Sequence, residues 1–159
     1  MDIKSLKSIN YTIFDSELTR SKMEKTLKIL FIEDDTIEVI KFNRVLKTLG
    51  LNHVIIEAEN GENALLILQK KETIPDIIIL DLNMPKLNGI EFLRILKNDA
   101  LLQYIPAIIL TTSSNYKDIL ECYKIGVGGY LLKPLKYEDY VDRIQKILAY
   151  WSSNELIIQ

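Results

Sequence analysis

Four short apolar runs punctuate the chain: ILFI at 29–32, IIIL at 77–80, AIIL at 107–110 and YLL at 130–132. None of them alternates apolar with polar positions, which is how strands buried on both faces of a parallel sheet read. A fifth run, HVIIEA at 53–58, is more mixed and predicts a strand on the edge side of that sheet. Between the runs, helical spacing of apolar residues covers Ile37–Leu49, Glu62–Gln69, Leu87–Lys97, Asn115–Ile125 and Tyr137–Tyr150. Strand and helix thus alternate five times, which predicts a doubly wound α/β fold around a five-stranded parallel sheet. The punctuation agrees: Gly50 closes the first helix, Asn60-Gly61 opens the second, Pro75 and Pro106 precede strands, and Gly126 ends the fourth helix.

Composition narrows the picture. With 159 residues and 48% hydrophobic content, the chain can fill one core. Twenty basic and 22 acidic residues are well mixed and leave a net charge of −2, so no uniform field favours nucleic acid or an anionic membrane. Cys122 and His53 are the only residues of their kinds, which excludes an internal disulfide and argues against a structural zinc site. No apolar run approaches the roughly 18 residues needed to span a bilayer, and residues 1–26 lack the apolar core of a secretory signal. A cytoplasmic location is expected.

Ligands of such folds sit at the carboxyl ends of the strands, and the polar residues of this chain collect there. The first strand ends in Glu33, Asp34 and Asp35, the third in Asp81, the fourth in Thr111 and Thr112, and the fifth in Lys133 followed by Pro134. An acid after a strand is ordinarily a helix cap or turn former; its recurrence with a hydroxyl and an ammonium across four strands favours a site. Clustered carboxylates repel one another, and a divalent cation removes the conflict. All-oxygen donors favour Mg²⁺ over zinc or copper. Asp81 then reads as a nucleophile that accepts a phosphoryl group, with Lys133 neutralising one phosphoryl oxygen and the Thr111 hydroxyl hydrogen-bonding another.

These residues carry a family resemblance. From about Leu27 to Trp151 the chain resembles the receiver domain of bacterial two-component response regulators, in which a histidine kinase donates phosphate to an aspartate. ILFIEDD, IIILDLNMPKLNG, AIILTTSS and GGYLLKPL stand in the family's order, and Thr111 and Lys133 follow Asp81 by the family's 30 and 52 residues. The resemblance implies the flavodoxin-like receiver fold over residues 27–151, between an N-terminal extension at 1–26 and a tail at 152–159. It implies that Asp81 is the phosphoacceptor, that Asp34, Asp81 and the backbone carbonyl of Asn83 bind Mg²⁺, and that Glu33, replacing a frequent Asp, reaches the ion through water. It further implies Thr111 and Tyr130 as the switch pair, a cis Lys133–Pro134 bond, and a sensor histidine kinase or histidine phosphotransfer protein as partner. Thr112 is bulkier than the alanine frequent there, which would restrict how far Tyr130 turns inward. Tyr150-Trp151, the tail and the lack of an output domain also resemble the single-domain regulators associated with bacterial phytochromes.

Other residues have ordinary readings. Asp35 helps the first helix start, Cys122 packs a helix, His53 lies at a strand start away from the acids, and the glycines of GVGG at 126–129 precede a strand, so they form no phosphate-binding loop. Tyr130 could equally be a core aromatic. Ile3, Leu6, Ile9, Tyr11, Ile13 and Phe14 in the leader could pack on a partner. Tyr150, Trp151, Leu156, Ile157 and Ile158 crowd apolar groups after the core is complete, which predicts a homodimer through them and the neighbouring surface from the fourth strand to the fifth helix, or a tail docked on its own domain. Two rival functions stand beside the phosphoacceptor. A haloacid-dehalogenase-like phosphohydrolase also places an aspartate after a buried strand, but requires a second acid where Asn83 stands and a cap for which there is no length. A scaffold that binds a kinase without taking phosphate has no need of Asp34, Asp81 and Lys133.

Overall fold

A computed structural model describes residues 25–70 and 72–157; the leader residues named above and Ile158 lie outside them. Five parallel strands, β1 (Lys28–Ile32), β2 (Val54–Ala58), β3 (Ile77–Leu80), β4 (Ala107–Thr111) and β5 (Gly129–Leu132), form one sheet in the order β2-β1-β3-β4-β5. The fully apolar runs of β3 and β4 lie inside the sheet with every residue buried, while the mixed HVIIEA run gives the edge strand β2, as its pattern predicts.

Successive strand residues point to opposite faces, and this splits the core in two. Ile29, Phe31, Ile77, Ile79, Ile108 and Leu110 pack under α1 (Thr36–Leu49) and α5 (Tyr137–Ser152), where Phe42, Tyr140 and Ile144 meet them. Leu30, Ile32, Ile78, Leu80 and Ile109 face α2 (Gly61–Gln69), α3 (Gly89–Asn98) and α4 (Tyr116–Ile125), meeting Leu68, Phe92, Leu93 and Cys122. At about 25 cal/mol per Å², this apolar burial supplies the main force holding helices on both faces.

Side chains and glycines set the helix ends. Asp35 accepts from the Ile37 amide at 2.8 Å and caps α1, and Gly50 closes that helix at φ 64°, a left-handed conformation that glycine adopts without steric cost. Asn88 caps α3 in a reciprocal box with Glu91, so the helix begins two residues later than the apolar spacing predicts. Asn115 likewise caps α4 from outside it, and α5 runs two residues beyond Tyr150. A 3₁₀ turn at Leu102–Tyr104 has no counterpart in the predicted elements. It is held from outside, since Lys97 Nζ donates to the Gln103 and Ile105 carbonyls at 2.8 Å each.

The tail divides. Trp151 and Leu156 pack on the α1/α5 side of the core, whereas Tyr150 and Ile157 are exposed. His53 Nδ1 accepts from the Leu27 amide at the start of the sheet, as its position implies. Among the described residues no helix is long and apolar enough to cross a membrane.

Gly89 fixes how α3 meets the end of β3. A Cβ there would collide with the Asp81 carbonyl oxygen and lie 2.8 Å from Leu82 Cα, and neither backbone atom can step aside. Gly89→Ala is therefore expected to lower unfolding free energy by about 1–3 kcal/mol, the usual cost of overpacking. An unchanged denaturation midpoint would contradict this packing.

Candidate functional site

The parallel ladder continues one residue past the strands. The Glu33 amide donates to the Ala58 carbonyl at 3.0 Å, Asp81 to Ile32 at 3.1 Å, and Lys133 to Thr111 at 2.7 Å. Those bonds set Glu33 beside Asp81 at the carboxyl end of the sheet, with Thr111 of β4 between Asp81 and Lys133. The Lys133 side chain spans the end of β4 to reach both acids.

Lys133 Nζ lies 2.6 Å from Glu33 Oε2 and 3.3 Å from Asp81 Oδ2, with only 7% of the lysine side chain and 2% of the glutamate exposed. Burial pushes the Glu33 carboxyl above its usual range, Lys133 opposes this, and Asp81 adds to it. For Lys133, burial alone would favour the neutral amine, but Glu33, Asp81 and Glu38 together outweigh it and hold the ammonium above its ordinary value. The remaining oxygens are also engaged: Asp81 Oδ1 accepts from the Leu82 amide at 2.7 Å and Glu33 Oε1 from the Asp35 amide at 3.2 Å.

Asp34 completes the group. One oxygen from each of Glu33, Asp34 and Asp81 falls within 4.8 Å of the others, Asp34 being the exposed member. Asn83 lines the same cleft as Asp34, together with Leu82, Met84 and Pro85. Clustered hard oxygens with an open side suit a divalent cation that keeps part of its water shell. The surplus of carboxylates over ammonium groups is the feature such an ion would relieve.

Thr111 and Tyr130 come together through a residue the sequence did not single out. The fully buried Thr111 accepts at Oγ1 from the Ser113 amide at 3.3 Å, while the half-buried Tyr130 donates its hydroxyl to the Ser113 carbonyl at 2.8 Å. Burial raises the Tyr130 phenol, and the Ser113 bond partly offsets that. Ser113 Oγ donates in turn to Asp118 of α4 at 2.8 Å. The Lys133–Pro134 bond is trans, contrary to the cis bond implied by the resemblance. Trans is the lower-energy isomer even before proline, and in this trans geometry Lys133 meets both Glu33 and Asp81. Cys122 is buried in the core, and burial pushes its thiol to about 11, which fits a packing residue.

Glu38 was also missed. It stands in the first turn of α1, where an acid ordinarily reads as complementing the helix dipole, yet its Oε2 is 3.8 Å from Lys133 Nζ. No local pattern signals a contact across that distance in sequence.

An aspartate at the end of a central strand, backed by a buried lysine and flanked by two acids, on a parallel sheet of order β2-β1-β3-β4-β5, defines a class. The response regulator receiver domain model matches residues 29–145, and the chain belongs to that family. It is 34% identical over 128 residues to the response regulator Rcp1 of Synechocystis sp., covering 77% of this chain and 87% of that protein. The crystal structure of the phosphorylated cyanobacterial phytochrome response regulator RcpA superposes with a TM-score of 0.79 at 28% identity, over 84% of this chain and 100% of that one. The Mn²⁺-bound form of Rcp1 follows at 0.77 and 33%, over 83% and 99%. The flavodoxin-like receiver fold that the resemblance implies is thus the observed one.

The acidic group makes metal binding measurable without any partner. A cation that binds only the folded chain should add about 2.7 kcal/mol of stability at a hundredfold excess over Kd. Asp34→Asn and Asp81→Asn should each remove most of the melting shift produced by Mn²⁺ or Mg²⁺. A cation held by the Glu33 carboxylate would compete with its proton, and burial has raised that carboxyl, so affinity should fall as pH is lowered through the raised value. A shift equally large in Asp34→Asn would argue for a different site.

Proposed function

We propose that this chain is a phosphoacceptor module that takes a phosphoryl group on Asp81 from a sensor histidine kinase or histidine phosphotransfer protein and thereby switches a protein-interaction surface. The observation that carries the reading is the Asp81 carboxylate at the end of β3, 3.3 Å from a buried lysine and grouped with Glu33 and Asp34. In the transfer, the phosphorus–nitrogen bond to the donor histidine breaks as an Asp81 oxygen bonds to phosphorus. Lys133, which spans Glu33 and Asp81, would hold a phosphoryl oxygen. Glu33, Asp34, Asp81 and the Asn83 carbonyl would hold Mg²⁺, which would supply positive charge against the carboxylates and the transferred group. Rcp1 has been crystallised with Mn²⁺, which supports a divalent ion at the matching group here. RcpA has been crystallised phosphorylated, which supports the chemistry.

Signalling, with at most slow self-phosphorylation and dephosphorylation, is the reading that fits a receiver domain. A cytoplasmic setting suits a kinase partner of this kind. The homodimer expected from the tail rests on Tyr150 and Ile157, since Trp151 and Leu156 are engaged on the chain's own core.

Acetyl phosphate with Mg²⁺ should label wild-type protein with one phosphoryl group, read by intact mass, and Asp81→Asn should abolish the label. Labelling of Asp81→Asn at the wild-type rate would overturn the assignment.

Coupling to the surface would run through Ser113, which Thr111 and Tyr130 both engage. A Thr111 hydroxyl that turns to a phosphoryl oxygen would give up the Ser113 amide and release a constraint on Tyr130. Thr111→Ala should therefore still accept phosphate but lose the phosphorylation-dependent change in amide exchange over α4, β5 and α5. A normal exchange response in that variant would sink the coupling.

A further inference from the structure

Lys133 has a third carboxylate neighbour. An ammonium offers three donors, and around Nζ stand Glu33 at 2.6 Å, Asp81 at 3.3 Å and Glu38 at 3.8 Å. Glu38 does not belong to the acidic trio and comes from the first turn of α1. It is itself divided between two lysines, because Lys41 Nζ approaches its Oε1 at 3.1 Å and its Oε2 at 3.4 Å. Lys41 in turn sits 4.0 Å over the ring of the fully buried Tyr140 on α5. The hydroxyls of Tyr140 and Tyr137 are buried without a hydrogen-bond partner among the described residues, so neither competes with Lys41 for Glu38. The order of charges is therefore Asp81, Lys133, Glu38, Lys41, alternating in sign from the strand edge to the α1/α5 seam.

We propose that Glu38 is a positioning residue that restrains the Lys133 ammonium on the α1 side, and that Lys41 sets the strength of this restraint by sharing the Glu38 carboxylate. The inference rests on the reading of Asp81 as phosphoacceptor. A phosphoryl group on Asp81 must draw Lys133 away from its present partners, and each carboxylate that stays behind opposes the move. Glu38 is the member of the set that neither the incoming group nor a cation at the acidic trio would neutralise. Lys41 weakens its pull, because a carboxylate shared between two ammonium groups holds each less firmly.

Two single variants then have opposite signs. With acetyl phosphate, whose phosphoryl group passes to Asp81 as acetate leaves, Glu38→Gln should label faster than wild type and Lys41→Gln slower. The effect of each should be about threefold, the scale of a partly exposed ion pair. The rate should be read at saturating Mg²⁺, so that a change in cation affinity does not enter. In Glu38→Gln/Lys41→Gln the Lys41 effect should vanish, leaving the rate of Glu38→Gln alone. A merely structural role predicts otherwise, since loss of packing would slow both single variants, add in the double variant and follow their melting temperatures. Equal rates in all four proteins, or shifts of one sign, would overturn the inference while wild-type labelling stands. Wild-type protein that fails to label, or Asp81→Asn that labels equally, would instead remove the phosphoacceptor reading beneath it.

Discussion

One buried ammonium makes the acidic edge of this sheet tolerable. Backbone hydrogen bonds that extend the ladder past β1 and β3 fix Glu33 and Asp81 on neighbouring strands, so the two acids cannot avoid each other without giving up sheet. Lys133 resolves the conflict by bonding both. Removing one member of so buried a set leaves the others uncompensated, a loss on the order of 3–5 kcal/mol. Fold and chemistry are thus tied to the same contact. The residue that would stabilise a phosphoryl oxygen also stabilises the sheet edge when none is bound.

The rest of the architecture serves that edge. β3 and β4 carry side chains buried on both faces, and their rigidity holds the position from which Asp81 emerges. Gly89 lets the first turn of α3 approach the Asp81 and Leu82 backbone more closely than any other residue would permit, which confines the loop carrying Asn83. On the far side, Ser113 accepts from Tyr130, donates to Asp118 and supplies its amide to Thr111. It therefore joins the end of β4 to β5 and α4.

Much of this was legible along the chain, for reasons that can be named. The runs at 77–80 and 107–110 are apolar without alternation because both sheet faces are covered, and HVIIEA is mixed because β2 is an edge, whereas the apolar YLL run misleads, since β5 is the other edge and only partly buried. The acids, threonine and lysine could be read together because parallel strands send all their carboxyl ends to one side. What escaped notice depends on contacts made across the fold. The 3₁₀ turn at Leu102–Tyr104 is held by carbonyl bonds from Lys97, in sequence only the basic end of a helix, together with Asp99 Oδ1, which accepts from the Leu101 and Leu102 amides. Glu38 looks like any first-turn acid until Lys133, 95 positions further along the chain, folds beside it. Trp151 looks like a free tail aromatic, yet its ring lies so close to Gly128 that a Cβ there would meet it at 3.2 Å.

Cys122 has a practical side. Its sulfur is fully enclosed between the sheet and α4, and no second cysteine occurs anywhere in the chain. A thiol with its ionisation pushed to about 11 is a poor nucleophile at neutral pH. The native surface is therefore silent towards maleimides and disulfide reagents. A cysteine introduced at an exposed position such as Tyr123 or Tyr150 would carry a spin label or fluorophore at one defined place, so the motions of α4 and α5 could be followed spectroscopically without first rebuilding the core.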